Sequence, residues 1–122
     1  MKTNKLVLIS IAMIVILSII GIVSADVLAE SPHPYANNYD YTWTITDPTA
    51  TQMRIHFQKI NLASSNDYLR LYDGDDTLLL EVNFLVYEDV ENIWSQWYMT
   101  DTIKVRLTTD SSSTGWGFLV DE

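Results

Sequence analysis

The residues best suited to covalent chemistry are the two histidines, and the sequence gives neither of them suitable neighbours. His33 stands between two prolines, and His56 lies on the polar side of the alternating stretch QMRIHFQ. Nucleophilic catalysis needs a histidine beside a serine, threonine or cysteine, with an acid behind it. The chain has no cysteine and no nucleophile-elbow, zinc-protease or phosphate-loop motif. We therefore predict that the chain is not an enzyme and that His56 is a solvated strand residue.

The acidic residues are the second group with possible chemistry. The stretch DGDD, residues 73–76, could suggest a calcium loop, but no glutamate follows at the distance that an EF-hand requires. Asp-Gly between two strands is the usual hairpin turn, and we predict a turn here. The full chain has 16 acidic and 7 basic residues, with a formal net charge of −9. Such a surface repels nucleic acid and anionic lipid, so no nucleic-acid partner is expected.

The tryptophans could serve either the core or a binding surface. Trp94 and Trp97 are three residues apart, which places them on opposite faces of a strand but on one face of a helix. On a strand, one of them is expected in the core and the other in solvent. An exposed tryptophan beside polar groups can stack on a sugar ring or anchor a protein partner. Trp43 is expected to fill a core position.

The elements that must position these residues are mostly strands, because apolar and polar residues alternate along much of the chain. The predicted strands cover residues 41–46, 52–58, 67–73, 78–84, 93–99, 102–108 and 116–122. Turn signals such as TDPTA, ASSN and SSSTG separate them. A short helix near residues 86–97 competes with one strand, since apolar residues also fall there at helical spacing. The pattern predicts an all-β fold, a two-layer antiparallel β-sandwich.

The first 25 residues have the layout of an export signal. Lys2 and Lys5 precede an uncharged apolar run from residue 6 to residue 23, and the small residues Ser24 and Ala25 follow it. We predict a signal peptide over residues 1–25, with residues 26–122 as one folded domain. The run is also close to the minimum for crossing a bilayer, so an uncleaved membrane anchor is the alternative. In both cases the folded part is expected to be secreted or on the cell surface.

Three stretches of the sequence together resemble a CUB domain, in the order and at the separations of that family. They are SPHPYANNYDYTWTI, NDYLRLYDGDDTLL and DTIKVRLTTDSSSTGWGF. The resemblance covers about residues 30–120 and implies a jelly-roll-like β-sandwich that is exported and binds a protein or a carbohydrate. Many members carry a cysteine two residues before the strand tryptophan, where this chain has Tyr41 before Trp43. The chain is therefore similar to cysteine-free microbial members.

The resemblance also implies a candidate calcium site. Many CUB domains hold Ca²⁺ with one glutamate and two aspartates, supported by a tyrosine and a serine. The matching positions for the aspartates and the two hydroxyls are Asp67, Asp110, Tyr39 and Ser112. The position of the glutamate is occupied by Ala63.

The loss of this glutamate leaves three alternatives for the site. It could be a weakened calcium site, because fewer charged ligands lower the affinity of a calcium cage. It could instead be vestigial, with Asp67 and Asp110 capping loops through backbone N–H groups. In the third alternative another acid, such as Glu30 or Asp40, replaces the missing ligand.

Three functions fit these observations. The first is a non-catalytic extracellular module that binds a protein or glycan, with a possible but degraded calcium site. The second is a membrane-anchored structural or adhesion subunit of the cell surface, in which the N-terminal helix is retained. The third is an accessory domain of an exported hydrolase. Cleavage before Asp26 separates the first function from the second.

Overall fold

A computed structural model describes residues 27–122, which fold into eight β-strands. The strands are β1 (Ala29–Glu30), β2 (Asp40–Thr46), β3 (His56–Asn61), β4 (Tyr68–Tyr72), β5 (Leu78–Asn83), β6 (Asp89–Trp94), β7 (Thr102–Thr108) and β8 (Gly117–Val120). No helix long and apolar enough to cross a membrane occurs in this part of the chain. The predicted signal peptide, its anchor alternative and the cleavage position before Asp26 lie outside the described residues.

The strands form two four-stranded sheets, and neighbouring strands in each sheet are antiparallel. The first sheet has the order β1-β8-β3-β6 and the second the order β2-β7-β4-β5. The predicted all-β, two-layer antiparallel sandwich is confirmed. The helix considered near residues 86–97 does not form, because β6 occupies that segment and pairs with β3.

The core lies between the two sheets and is best seen in β7. Ile103, Val105 and Leu107 are fully buried, while Lys104 and Arg106 between them point to the outside. From the opposite sheet, Phe118 of β8 contributes a fully buried ring. Its centroid lies 4.9 Å from that of Trp43 on β2, in an edge-to-face contact that joins the two sheets. Trp43 is half-buried and packs against the core as expected.

The predicted positions of two strands are wrong by several residues. The alternating pattern places a strand at 52–58, whereas β3 is His56–Asn61, and Met53 makes only an isolated bridge to Tyr98. The reason is a β-bulge between Phe57 and Lys59 in the pairing of β3 with β8. The extra residue resets the alternation, so Phe57 and Ile60 both face the core although they are three residues apart.

The predicted bounds of the neighbouring strand are also wrong, and this changes the environment of its two tryptophans. The predicted strand 93–99 is instead β6 at Asp89–Trp94, and Trp97 follows it in an irregular segment. Trp94 is 42% exposed and Trp97 is 54% exposed. The prediction that one of the two would be buried is therefore wrong, because Trp97 is not on the strand and the alternation does not reach it.

The stretch DGDD forms the turn of a hairpin, as predicted. It joins β4 to β5, and the N–H of Asp73 donates to the carbonyl of Thr77 over 3.0 Å. The carboxylate Oδ1 of Asp73 accepts from the N–H groups of Asp75 and Thr77, each over 2.9 Å. The side chain of Asp73 therefore stabilises the turn by accepting backbone hydrogen bonds within it.

His56 is not solvated, which corrects the prediction made from the sequence. Its Nδ1 lies 2.5 Å from Oδ1 of Asp121, and the two side chains are only 13% and 11% exposed. The alternation correctly places His56 on the side away from the core. It could not show that the end of β8 passes beside it, where the N–H of Asp121 donates to the carbonyl of His56.

Candidate functional site

The centre of the candidate site is the carboxylate of Asp67, which is completely buried before β4. Its Oδ2 accepts a hydrogen bond from the hydroxyl of Tyr35 over 2.6 Å. Its Oδ1 accepts from the backbone N–H of Asp110 over 2.9 Å. The Tyr35 oxygen in turn accepts from the N–H of Ala63 over 2.8 Å. Both oxygens of Asp67 are thus bonded within the protein, as a buried carboxylate requires.

The second carboxylate, that of Asp110, holds the loop between β7 and β8. Its Oδ2 accepts from the hydroxyl of Ser64 over 2.9 Å, and its Oδ1 accepts from the N–H of Ser112 over 3.0 Å. The carbonyl of Asp110 accepts from the N–H of Asn38 over 2.7 Å. The two aspartates therefore tie three segments together: the stretch before β2, the loop between β3 and β4, and the loop after β7.

The pKa values of the two carboxyl groups are shifted in opposite directions. Burial raises the pKa of Asp67, although the hydrogen bonds from Tyr35 and from the Asp110 N–H oppose this effect. The pKa of Asp110 is lowered, first by the N–H of Ser112 and then by the hydroxyl of Ser64. Burial and the hydrogen bond to Asp67 raise the pKa of the Tyr35 phenol well above its usual range.

The structure brings together three of the four residues predicted for the metal site. Asp67, Asp110 and Ser112 lie in the network, whereas Tyr39 is bonded elsewhere through its N–H, which donates to Oγ1 of Thr109 over 2.8 Å. The ring of Tyr39 lies against the aromatic rings of β2. The phenol that reaches Asp67 belongs to Tyr35.

Tyr35 and Ser64 are the two site residues that the sequence did not identify. Tyr35 stands in the same stretch, SPHPYANNY, four residues before Tyr39. That stretch has no regular secondary structure. Because the stretch is irregular, sequence periodicity does not predict where either tyrosine side chain points. The family pattern does not distinguish which of the two tyrosines bonds to Asp67. Ser64 is one of the two serines in the turn ASSN, which sequence reasoning treats as a turn signal only.

The residues present do not fit a calcium ion. Calcium takes six to eight oxygen ligands, whereas the two carboxylates of Asp67 and Asp110 offer at most four, and each of these oxygens already accepts a hydrogen bond from the protein. Ala63 contributes an N–H donor where the family supplies a carboxylate. Among residues 27–122, no three side chains of Asp, Glu, His or Cys come close enough together to hold a metal ion.

The two acids considered as replacements are engaged at other places. Glu30 pairs with His33, whose Nε2 lies 3.0 Å from Oε2 of the glutamate. Asp40 receives two hydrogen bonds from the guanidinium of Arg106, over 2.9 and 2.7 Å. In this arrangement neither carboxylate contributes a ligand to the network around Asp67.

Because the phenol of Tyr35 is buried, the stability of the folded protein is expected to depend on pH in the alkaline range. Because the pKa of Tyr35 is raised above the value of about 10 that a tyrosine has in the unfolded chain, its contribution to stability is present below pH 10 and is lost at higher pH. We expect the melting temperature to fall above pH 10, and to fall less steeply in Tyr35→Phe. Absorbance of phenolate should show a tyrosine that ionises only when the protein unfolds and that is missing in Tyr35→Phe. If all seven tyrosines titrate in the folded protein, the inference about Tyr35 is wrong.

The fold and the network define a small antiparallel β-sandwich whose loops are tied at one end by buried carboxylates. The family model of the CUB domain matches residues 24–121. The chain belongs to the CUB domain family.

Individual relatives agree with this assignment. Human seizure protein 6 homolog is 28% identical over 92 residues, which cover 70% of this chain and 9% of that protein. The human E3 ubiquitin-protein ligase HERC2 is 29% identical over 101 residues, which cover 78% of this chain and 2% of that protein. The chain therefore spans less than a tenth of the length of these relatives.

A solved structure supports the fold. The CUB1-EGF-CUB2 domain of human MASP-1/3 superimposes with a TM-score of 0.56 at 21% sequence identity, and the match covers 75% of this chain and 39% of that one. At this identity, the similarity concerns the architecture of the sandwich.

Proposed function

We propose that this protein is a non-catalytic extracellular binding module that recognises a protein or a glycan and does not depend on calcium. Domains of the CUB family are, in general, extracellular binding modules without catalytic activity. The observation that carries the proposal is the family match, which extends over almost all of the folded part of the chain.

The two histidines support a role without catalysis. His33 stacks on the ring of Trp116 at 3.8 Å and bonds to Glu30, while His56 is bonded to Asp121. In the part of the chain that the structure describes, neither imidazole is hydrogen-bonded to a serine or threonine hydroxyl that it could activate.

The independence from calcium is tested by titration. We expect calorimetric titration of Ca²⁺ into the purified protein to give no heat of binding, and the melting temperature to be the same with millimolar calcium and with chelator. A ligand that binds only the folded state must raise its stability, so heat and melting are two independent readouts. Heat together with a raised melting temperature, both lost in Asp110→Ala, would show that the site still binds calcium.

Export is the second part of the proposal. The N-terminal sequence of the protein recovered outside the cell should begin at Asp26. An intact Met1 in the membrane fraction would instead support the alternative, an anchored structural or adhesion subunit of the cell surface.

Binding itself can be tested without knowledge of the partner. The labelled protein is applied to a glycan array and to an array of secreted proteins, in calcium and again in chelator. We expect retention on at least one defined ligand in both buffers. Retention on none of them would contradict a binding role, and retention only in calcium would contradict the calcium-independent form of the proposal.

A further inference from the structure

An exposed cluster of one arginine and two tryptophans lies at the edge of the first sheet. The guanidinium carbon of Arg54 is 4.2 Å from the ring centroid of Trp94 and 4.7 Å from that of Trp97. Both rings are within the range of a cation–π contact, so one cation is held against two indoles. All three side chains are exposed.

The cluster stands on a rigid support. His56 is the cross-strand partner of Trp94 in the pairing of β3 with β6, and their ring centroids are 4.8 Å apart. The imidazole is itself fixed by its bond to Asp121. Trp94 is thus held on one side by the histidine and contacted by Arg54 as well. A side chain fixed before binding loses less entropy when a partner arrives.

The segment between the two tryptophans is fixed in the same way. The hydroxyl of Ser95 accepts from the N–H of Ile55 over 3.0 Å and donates to the carbonyl of Gln96 over 2.9 Å. Next to Trp97, the backbone groups of Met53 and Tyr98 exchange two hydrogen bonds of 2.8 Å. The backbone next to both tryptophans is therefore bonded to residues 53–55, which directly precede β3.

Arg54 differs from the other basic residues of the domain. Residues 27–122 contain five lysines and arginines, and four of them lie within salt-bridge distance of a carboxylate. These four pairs are Lys59 with Asp89, Arg70 with Glu81, Lys104 with Asp76, and Arg106 with Asp40. Among the residues that the structure describes, Arg54 is the one of these five without a carboxylate partner. Within the described residues its N–H donors also make no hydrogen bond to the protein.

The free donors of Arg54 define the chemistry of a ligand. Indoles cover the flat faces of a guanidinium in cation–π contacts, whereas its N–H groups lie in the plane and remain accessible. A carboxylate matches this edge with two parallel hydrogen bonds. A long polyanion would be repelled by the remaining surface of a chain with a net charge of −9. The ligand that fits is a single carboxylate.

The surroundings favour a protein over a sugar as the bearer of this carboxylate. Apart from Arg54, the polar side chains named around the indoles are already engaged: His56 bonds to Asp121, and the hydroxyl of Ser95 bonds to the backbone of Ile55 and Gln96. Tryptophan, arginine and methionine are enriched at protein interfaces. Met99, two residues after Trp97, is 84% exposed.

We propose that Arg54, Trp94 and Trp97 form a docking site for an aspartate or glutamate side chain of a protein partner. The arginine binds the carboxylate, and the two indoles contact the methylene groups behind it. This inference rests on the proposed binding function and narrows it to a protein with an acidic anchor residue.

The test uses two blocked tripeptides that differ only in charge. Acetyl-Leu-Glu-Leu-amide and acetyl-Leu-Gln-Leu-amide are titrated into the ¹⁵N-labelled protein, and the indole N–H signals are followed. We expect the glutamate peptide to shift the signals of Trp94 and Trp97 saturably at millimolar concentration, and to bind about tenfold more tightly than the glutamine peptide. The signals of Trp43 and Trp116 serve as internal controls and should not move.

Matched variants show whether Arg54 is responsible. Arg54→Gln should abolish the difference between the two peptides, and Arg54→Lys should reduce it, because lysine lacks the planar fork. Lys59→Gln removes a basic residue of the same sheet that is already paired, and should change nothing. Both positions are at the surface, and unchanged melting temperatures confirm that the three variants fold.

Three results would overturn the inference. They are equal binding of both peptides, no shift at Trp94 and Trp97 at millimolar peptide, and tighter binding of methyl glucuronide than of the glutamate peptide, which would make the site a glycan site. The proposed function is tested separately. If a ligand retained on the arrays binds Arg54→Gln as well as the unaltered protein, the binding function stands and the docking site is wrong.

Discussion

Replacing Asp67 with alanine is expected to lower the free energy of unfolding by about 3–5 kcal/mol. The carboxylate is fully buried and accepts from the Tyr35 hydroxyl and the Asp110 N–H, so the substitution leaves two donors without partners. Each buried unsatisfied donor costs about 1–3 kcal/mol. Urea unfolding followed by tryptophan fluorescence measures the loss. A change below about 1 kcal/mol would show that the network does not hold the loops.

The matched controls separate the hydrogen bonds from the buried charge. Asp67→Asn keeps one carbonyl acceptor, and Tyr35→Phe removes one of the two donors, so each is expected to cost about 1–2 kcal/mol. In the double variant Asp67→Ala with Tyr35→Phe, the phenol is no longer left unsatisfied. The double variant should therefore be more stable than the sum of the single losses predicts. Strict additivity would contradict a direct bond between the two residues.

This network joins loops that no disulfide can join in this chain. The chain has no cysteine, so no disulfide joins its loops. The fully buried Asp67 and the half-exposed Asp110 instead connect the segment before β2 with the loop between β3 and β4 and with the loop after β7. Where the family pattern places a glutamate, Ala63 provides an N–H for the Tyr35 oxygen. Each of the four oxygens of the two carboxylates thus accepts a hydrogen bond from a protein donor.

The fold could be predicted where burial alternates without interruption. The strand predicted at 102–108 has the bounds of β7, because every second side chain in it enters the core. The prediction was wrong for β3, where the bulge at Phe57–Lys59 depends on the partner strand β8. It was also wrong for β6, whose bounds follow from its pairing with β3. The error in β6 then carried over to Trp94 and Trp97.

The candidate site could be predicted only in part for a related reason. Asp67, Asp110 and Ser112 flank strands, so the ends of those strands bring them together. Tyr35 lies in an irregular segment, where no periodicity gives the direction of a side chain. Arg54 lies on the polar side of the alternating stretch QMRIHFQ, so the sequence does not distinguish it from other exposed basic residues. The path of the chain after β6 brings Trp97 as well as Trp94 into contact with it.

The second large effect on stability is expected from a substitution at the start of β8, at Gly117. Gly117 has a φ of +103°, a conformation that side chains rarely adopt. A Cβ at this position would lie 1.8 Å from the hydroxyl oxygen of Ser31, which accepts from the N–H of Phe118 over 3.1 Å. Gly117→Ala must therefore strain the backbone at residue 117. It must also displace the hydroxyl of Ser31 from its hydrogen bond with the N–H of Phe118, whose ring lies in the core. We expect it to cost about 3 kcal/mol or more in urea unfolding.

Gly74 provides the matched control for this substitution. It lies in the hairpin turn with a φ that alanine can adopt, and the nearest atom to its Cβ would be Cβ of Thr102 at 3.4 Å, an ordinary contact. Gly74→Ala should therefore change stability by less than about 1 kcal/mol. Combining Gly117→Ala with Ser31→Gly removes the clash but not the strained φ, so we expect only partial recovery. If Gly117→Ala is tolerated as well as Gly74→Ala, the backbone at the start of β8 can relax and its close approach to Ser31 is not required for the fold.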